Sequence, residues 1–298
     1  KTLEAEFDFA RFTLKYLVTE GGEFESGTTT QQVQIGTSGT AVKVKARDGY
    51  VFAGWSDGNR DLERTDANVQ ADAEFTAIFE PLYPITYTEN FDGDPISFVY
   101  WKNELNKDGQ SWKLEKRSKY ATSDPKTGFV MGFGEGKNMT APVELISPYI
   151  SLAEITAPTT KLKLAFTYMV KAKKATFEES KVLYSVDNAA WTELTDLKDV
   201  GKGDHVQAHE ITTSLLGKQH IRFKWSFKTP NTTYSKDMVA VDDVKVTYDT
   251  TPTEETYTLE YIAGEHGSIK VSGDATAYQH RILTASTSKP APEVTATP

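Results

Sequence analysis

Apolar and polar residues alternate one for one along most of this chain. The clearest stretches are "FTLKYLV" (12–18), "AVKVKA" (41–46), "EFTAIFE" (74–80), "KLKLAFTYMV" (161–170), "KVLYSV" (181–186), "HIRFKWSF" (220–227) and "VKVTYD" (244–249). In an extended strand successive side chains point to opposite faces, so this period of two predicts half-buried antiparallel strands. Their wealth of Val, Tyr, Phe and Thr suits a pleated surface. No segment sustains a 3.6-residue period beyond a turn or two. The expected class is all-β, sandwich or barrel. Pro and Thr gather at 81–86 and in "YDTTPTEETY" (248–257), predicting short linkers that divide the chain at 1–82, 83–249 and 250–298.

The outer segments repeat each other. "FTLKYLVTEGGEFESG" (12–27) matches "YTLEYIAGEHGSIKVSG" (257–273), and "GTAVKVKA" (39–46) lines up with "PAPEVTATP" (290–298) after a short insertion. "TLEAEFD" (2–8) matches "FTAIFE" (75–80), the last strand of the complete copy. The chain therefore reads as the tail of one repeat (1–10), a complete repeat (11–82), a central unit (83–249), and a linker with a truncated repeat (250–298). It is expected to be a piece of a longer repeat-bearing protein. A truncated repeat closes no core alone, so 257–298 is expected to lean on the central unit or to pair through an open edge with a neighbouring molecule.

"RDGYVFAGWSDGNRDLERTD" (47–66) places Tyr50, Phe52 and Trp55 within six positions and then turns polar. Burying such rings stabilises a small β-domain by roughly 2 kcal/mol each, and they are expected to be core. Asp57 and Gly58 fit a tight turn, the acid capping locally and the glycine taking a positive φ. The stretch resembles the InlB B-type (Listeria–Bacteroides) repeat, whose hallmark falls on Gly49, Tyr50, Phe52, Gly54, Trp55, Ser56, Asp57, Gly58 and Arg64. That resemblance covers 12–80, and partly 257–298. It implies a β-grasp-like spacer module of surface proteins and makes Tyr50, Phe52, Trp55, Asp57 and Gly58 a structural signature.

In the central unit, "ENFD" (89–92), "ELISPYISL" (144–152), "SVDNAAW" (185–191) and "DDV" (242–244) follow in an order that resembles cleaved-adhesin and MAM-like domains. "SVDNAAW" reads as a hairpin with a tight Asp187-Asn188 reversal. The resemblance implies an antiparallel two-sheet jelly roll and a non-catalytic module such as those attached to secreted proteases of Bacteroidetes. Closing a jelly roll would bring "ENFDGD" (89–94) beside Asp242 and Asp243. Clustered carboxylates repel unless a cation neutralises them, and hard oxygen donors favour calcium. Glu89, Asp92, Asp242 and Asp243 are the expected ligands of a structural calcium ion.

Composition narrows the function. A net charge of −9 and a pI near 5.2 argue against nucleic acid or an anionic membrane as partner. The chain has no cysteine, which removes disulfides, thiolate catalysis and cysteine-based zinc sites together. No apolar run approaches the ~18 residues of a membrane span. "KTLEAEF" shows no signal peptide and does not look like a natural beginning, which leaves secretion open. His205 and His209 read as strand residues too far apart for a zinc site. "GFGEGKN" (132–138) lacks the following helix that phosphate binding needs. Glu178 and Glu179 point to opposite faces of a strand, which disfavours paired-carboxylate chemistry. No nucleophile elbow occurs. Tyr100 and Trp112 are the candidate sugar-stacking aromatics, while Trp101 is expected in the core. The expected function is a non-catalytic part of a secreted or surface-displayed bacterial protein, its repeats acting as spacers and its jelly roll as an adhesion module for host or matrix protein or glycan. An accessory domain of a secreted protease or glycoside hydrolase, and a ligand-free stalk, are the alternatives.

Overall fold

A computed structural model describes residues 9–92, 100–123, 128–134, 139–158, 160–171, 177–229, 238–249, 256–286 and 290–297. The tail expected at 2–8 and the glycine-containing run from 135 lie outside them. Seven strands form the N-terminal repeat: β1 (Arg11–Val18), β2 (Gly22–Ser26), β3 (Thr30–Gln34), β4 (Val42–Ala46), β5 (Tyr50–Trp55), β6 (Glu63–Arg64) and β7 (Ala73–Tyr83). β3, β1, β7 and β5 make one sheet, and β2, β4 and β6 a second. Leu14, Tyr16, Val42, Val44, Trp55, Ala77 and Phe79 fill the space between. Alternation along each strand dictates this: positions 14 and 16 face in, position 15 faces out.

The central unit is a sandwich. Its strands are β8 (Thr88–Glu89), β9 (Lys113–Lys116), β10 (Phe129–Gly134), β11 (Val143–Ile146), β12 (Tyr149–Ser151), β13 (Lys161–Lys171), β14 (Glu179–Val186), β15 (Thr192–Asp196), β16 (Gly203–Ile211), β17 (His220–Lys228) and β18 (Met238–Asp249). One sheet has the order β15-β14-β17-β12, with β11 also on β17; the other runs β16-β13-β18-β10-β9, with β8 on β18. Phe166, Phe223, Trp225, Phe227, Trp101 and the inward Val and Leu residues of both sheets form the core. The Asp187-Asn188 reversal takes positive φ at both residues, 50° and 59°, with the Ala189 amide donating to the Val186 carbonyl at 2.9 Å, and it opens a longer connection from β14 to β15. The chain is all-β, a two-sheet sandwich flanked by the repeat, as its alternation predicts.

Two features depart from the antiparallel, linker-separated expectation. β7 does not stop at the proline-containing stretch; it runs through Pro81 to Tyr83. It lies parallel to β1 in the repeat and parallel to β12 in the sandwich, with Leu82 opposite Tyr149 and Tyr83 opposite Ile150. One nine-stranded sheet therefore crosses from the first unit into the second. Pro81 sits opposite Tyr50 of β5, past the last β1 pair at Ala77 and before the first β12 pair at Leu82. Alternation of side chains is the same in parallel and antiparallel strands, so direction was not readable from it.

The last strands are β19 (Thr256–Ile262), β20 (Ser268–Val271), β21 (Ala277–Tyr278), β22 (His280–Ser286) and β23 (Val294–Thr297). They pair only with one another among the described residues, β19 with β22 and β20 with β21 and β23. The pairing onto the sandwich sheets that was one expectation for 257–298 is therefore not seen. Among the described residues no helix is long and apolar enough to cross a membrane.

Candidate functional site

Of the aromatics expected in the core, Trp55 is buried there and Phe52 packs half-buried against it, while Tyr50 is half-buried outside the core cluster. Trp55 is buried, meets Tyr16 edge-on at 6.1 Å and Phe52 at 6.3 Å, and donates its indole N–H to the Asp61 carbonyl at 2.9 Å. Phe52 packs on Phe79 at 5.4 Å. Tyr50 lies against Gly21, where a Cβ would fall 2.0 Å from its ring. Arg64 is buried with its guanidinium 3.8 Å from the Phe75 centroid and 4.9 Å from that of Trp55. It donates to Asp57 (3.2 and 3.0 Å) and to Asp66 (3.0 and 2.6 Å). Arg64 in turn holds the Asp57 carboxyl below the usual range. Gly58 takes φ 89° at the turn. The polar half of the hallmark thus clamps the aromatic half.

The acidic corner is built on a β-bulge. Between Ala165 and Thr167 of β13 the register of β18 shifts by one residue, and Asp243 adopts φ 49°. The bulge turns Asp242 inward, where it is 2% exposed. Burial, then the neighbouring Asp243, push its carboxyl up to about 7, with Asp92 adding and Arg117 opposing. Arg117 Nη1 contacts Asp242 Oδ2, and lies 3.4 Å from Asp243 Oδ2, which also accepts from Thr167 Oγ1 at 3.0 Å. Asp92 accepts from the Phe129 amide at 2.6 Å. Glu89 is occupied elsewhere: it accepts from the Phe91 amide at 2.7 Å, and burial holds its carboxyl above the ordinary range. The fold thus brings the charges of Asp92 and Asp243 to bear on Asp242, while Glu89 sits directly opposite Val244. The donor chemistry suits a hard cation. Yet Arg117 already contacts two of these carboxylates, and among the described residues no three acidic or histidine side chains are grouped to hold a metal ion.

Of the two candidate sugar-stacking aromatics, Trp112 requires correction. It is 1% exposed and donates to the Val143 carbonyl at 3.3 Å, so no ring can stack on it from solvent. Its polar sequence neighbours face out while its indole fills the core. Tyr100 is half-buried beside Tyr83. Trp101 is core, as expected, donating to Tyr87 Oη at 2.9 Å.

A surface that sequence reasoning missed lies on the outer face of the nine-stranded sheet. Lys224, at an outward position of β17, reaches Glu144 Oε1 at 2.7 Å and stands 4.8 Å from the centroid of half-buried Trp191. Glu144 and Ile146 continue into an open groove of about 370 Å³ lined also by Lys102, Leu105 and Asn106. Leu105 is among the most exposed large apolar side chains of the chain. Asn106 is fixed by donating to the Ala141 carbonyl at 2.9 Å and accepting the Asp108 and Gln110 amides at 2.9 Å each. Lys102 is anchored by Glu80 at 2.5 Å, tying the groove to β7. The polar alternation of "HIRFKWSF" marks Lys224 as outward. The groove itself joins residues 102–107 to 141–146, a contact no local pattern reveals.

No curated protein matches the chain. Solved structures with similarity include a cyclase from Fischerella sp. TAU, at 14% identity and TM-score 0.34, covering 56% of this chain and 85% of that one. TmCBM61 in complex with beta-1,4-galactotriose shares 13% identity at TM-score 0.32, covering 54% and 99%. TmCBM27, a carbohydrate-binding module that recognises mannan, shares 10% at TM-score 0.30, covering 55% and 96%. For the N-terminal unit, residues 12–82 match the family model of the divergent InlB B-repeat domain, the unit whose signature Asp57 and Arg64 clamp.

Proposed function

We propose that this chain is a non-catalytic binding part of a bacterial surface protein, in which the repeat at 12–82 positions the sandwich and the sandwich contacts a glycan. The observation that carries this reading is the outer sheet face around Trp191, Lys224 and Glu144 with its adjoining groove. A planar aromatic offers an apolar platform to the C–H face of a sugar ring. The paired charges of Glu144 and Lys224 offer donors and acceptors to its hydroxyls, beside a loop that Asn106 holds in place. These groups stand on strands and on an internally hydrogen-bonded loop, so they are ordered before the ligand arrives and little entropy is lost on binding.

The repeat supports the reading through its geometry. Because β7 belongs to both units, the sandwich is held by backbone hydrogen bonds and not by a loose tether. A spacer that passes orientation on to its neighbour suits a module displayed away from a surface. The test is affinity electrophoresis of the whole chain through gels containing soluble polysaccharides. Retardation by at least one polysaccharide, lost in Trp191→Ala, is expected. Equal mobility in every gel would remove the glycan reading and leave protein contact or a ligand-free stalk.

A further inference from the structure

Residues on the outer face of the nine-stranded sheet line up across its strands. Leu183 of β14 is opposite Lys224 of β17, Lys224 is opposite Ile146 of β11, and Ile146 is bridged to Lys102. Residues paired in this way share a face and stand one strand spacing apart, so the row from Leu183 to Lys102 extends roughly 14 Å. Leu183 and Ile146 are half-buried and lie outside the sandwich core. Trp191 adjoins the row where Lys224 reaches its ring, and exposed Leu105 shares the groove with Lys102 and Ile146. A single sugar ring covers only part of such a row, whereas successive rings of a chain meet its apolar members in turn.

The charges on this face are matched. Lys224 meets Glu144 at 2.7 Å, Lys181 meets Glu193 at 2.7 Å and Lys102 meets Glu80 at 2.5 Å. Glu104 and Lys107 add one charge of each sign to the groove. Arg222, the next outward residue of β17, is buried and donates to the Ser147 carbonyl at 2.9 Å. A carboxylated or sulfated polymer would have to break these pairs to gain a cation, and it would approach a chain of net charge −9. An uncharged polymer leaves every pair intact and meets their outer atoms with hydroxyls, which both donate and accept. We propose that the glycan is an uncharged polysaccharide bound across the strands over several consecutive sugar rings, an inference that rests on the glycan reading of this same face.

Affinity electrophoresis of the whole chain tests this with two sets of gels, one holding galactomannan, xyloglucan or mixed-linkage β-glucan and the other polygalacturonate, alginate or hyaluronate. Retardation by at least one uncharged polysaccharide, and by none of the acidic ones, is expected. Calorimetric titration with that polysaccharide should give a Kd that changes less than about twofold between about 50 mM and about 500 mM sodium chloride. Its constituent monosaccharide should not displace it. Leu183→Thr keeps a strand-forming residue on the outer face, so it should weaken binding about fivefold while the melting temperature stays nearly unchanged. Ile146→Thr probes the other side of Lys224 in the same way. Retardation confined to acidic polysaccharides, release by salt, or displacement by the monosaccharide overturns the proposal and leaves the glycan reading standing. Unaltered affinity in both folded variants removes the cross-strand row. Equal mobility in every gel removes the proposal and the glycan reading together.

Discussion

Arg64 is a buried cation whose charge is met by Asp57 and Asp66 while its flat guanidinium covers Phe75. Removing one partner of such a group leaves the others desolvated and unpaired. Arg64→Ala is expected to cost the repeat about 3 kcal/mol, read as a lower urea midpoint for its unfolding. Arg64→Lys should recover only part, since an ammonium cannot serve two carboxylates and a ring together. His220 gives a pH dependence. Burial, reinforced by Arg222 and opposed by Asp187, holds its imidazole below the ordinary range, so the fold prefers the neutral ring. Its contribution to stability is fully present above the unfolded value near ~6.5 and is lost as pH falls through the lower folded value. The urea midpoint should therefore drop between pH 7.5 and pH 5, and His220→Gln should flatten that drop.

At the scale of elements, β7 shows what alternation does and does not encode. "EFTAIFE" marked a strand and its inward Phe75, Ala77 and Phe79, and the structure places all three in or against the repeat core. Nothing in that pattern said that the strand continues past Pro81 or that its neighbours β1 and β12 run parallel, because pairing direction is a long-range property. Trp112 failed for a related reason: polar neighbours in "DGQSWKL" say which residues are wet, not where one ring points. The acidic corner was legible as two runs of acid but not as a bulge, and Arg117, far from both in sequence, was invisible. Arg117 contacts Asp242 and Asp243 there, and the charge of Asp92 adds to that of Asp243 on Asp242. The excess negative charge predicts that millimolar calcium raises the melting temperature above that in chelator. Identical melting temperatures would leave Arg117 as the sole brace.

Across the whole molecule, two separate cores share one sheet, so the repeat and the sandwich keep a fixed orientation while each is stabilised by its own apolar residues. The face that this orientation presents, with Trp191, Lys224, Glu144 and the groove beside them, is the part of the molecule that burial does not explain. Core and surface tryptophans should separate by experiment. Trp112→Ala removes a ring from the sandwich interior and should cost about 3–5 kcal/mol of stability. Trp191→Ala should leave stability nearly unchanged and remove contact area for a ligand. The most direct measurement is calorimetric titration of the whole chain, wild type and Trp191→Ala, with a polysaccharide that retards it in a gel. Saturable binding by the wild type, weakened about tenfold or more in the variant, is the predicted result, a loss of roughly 1.4 kcal/mol. Equal affinity in the two proteins, or breakdown of the polysaccharide during the titration, would contradict the account.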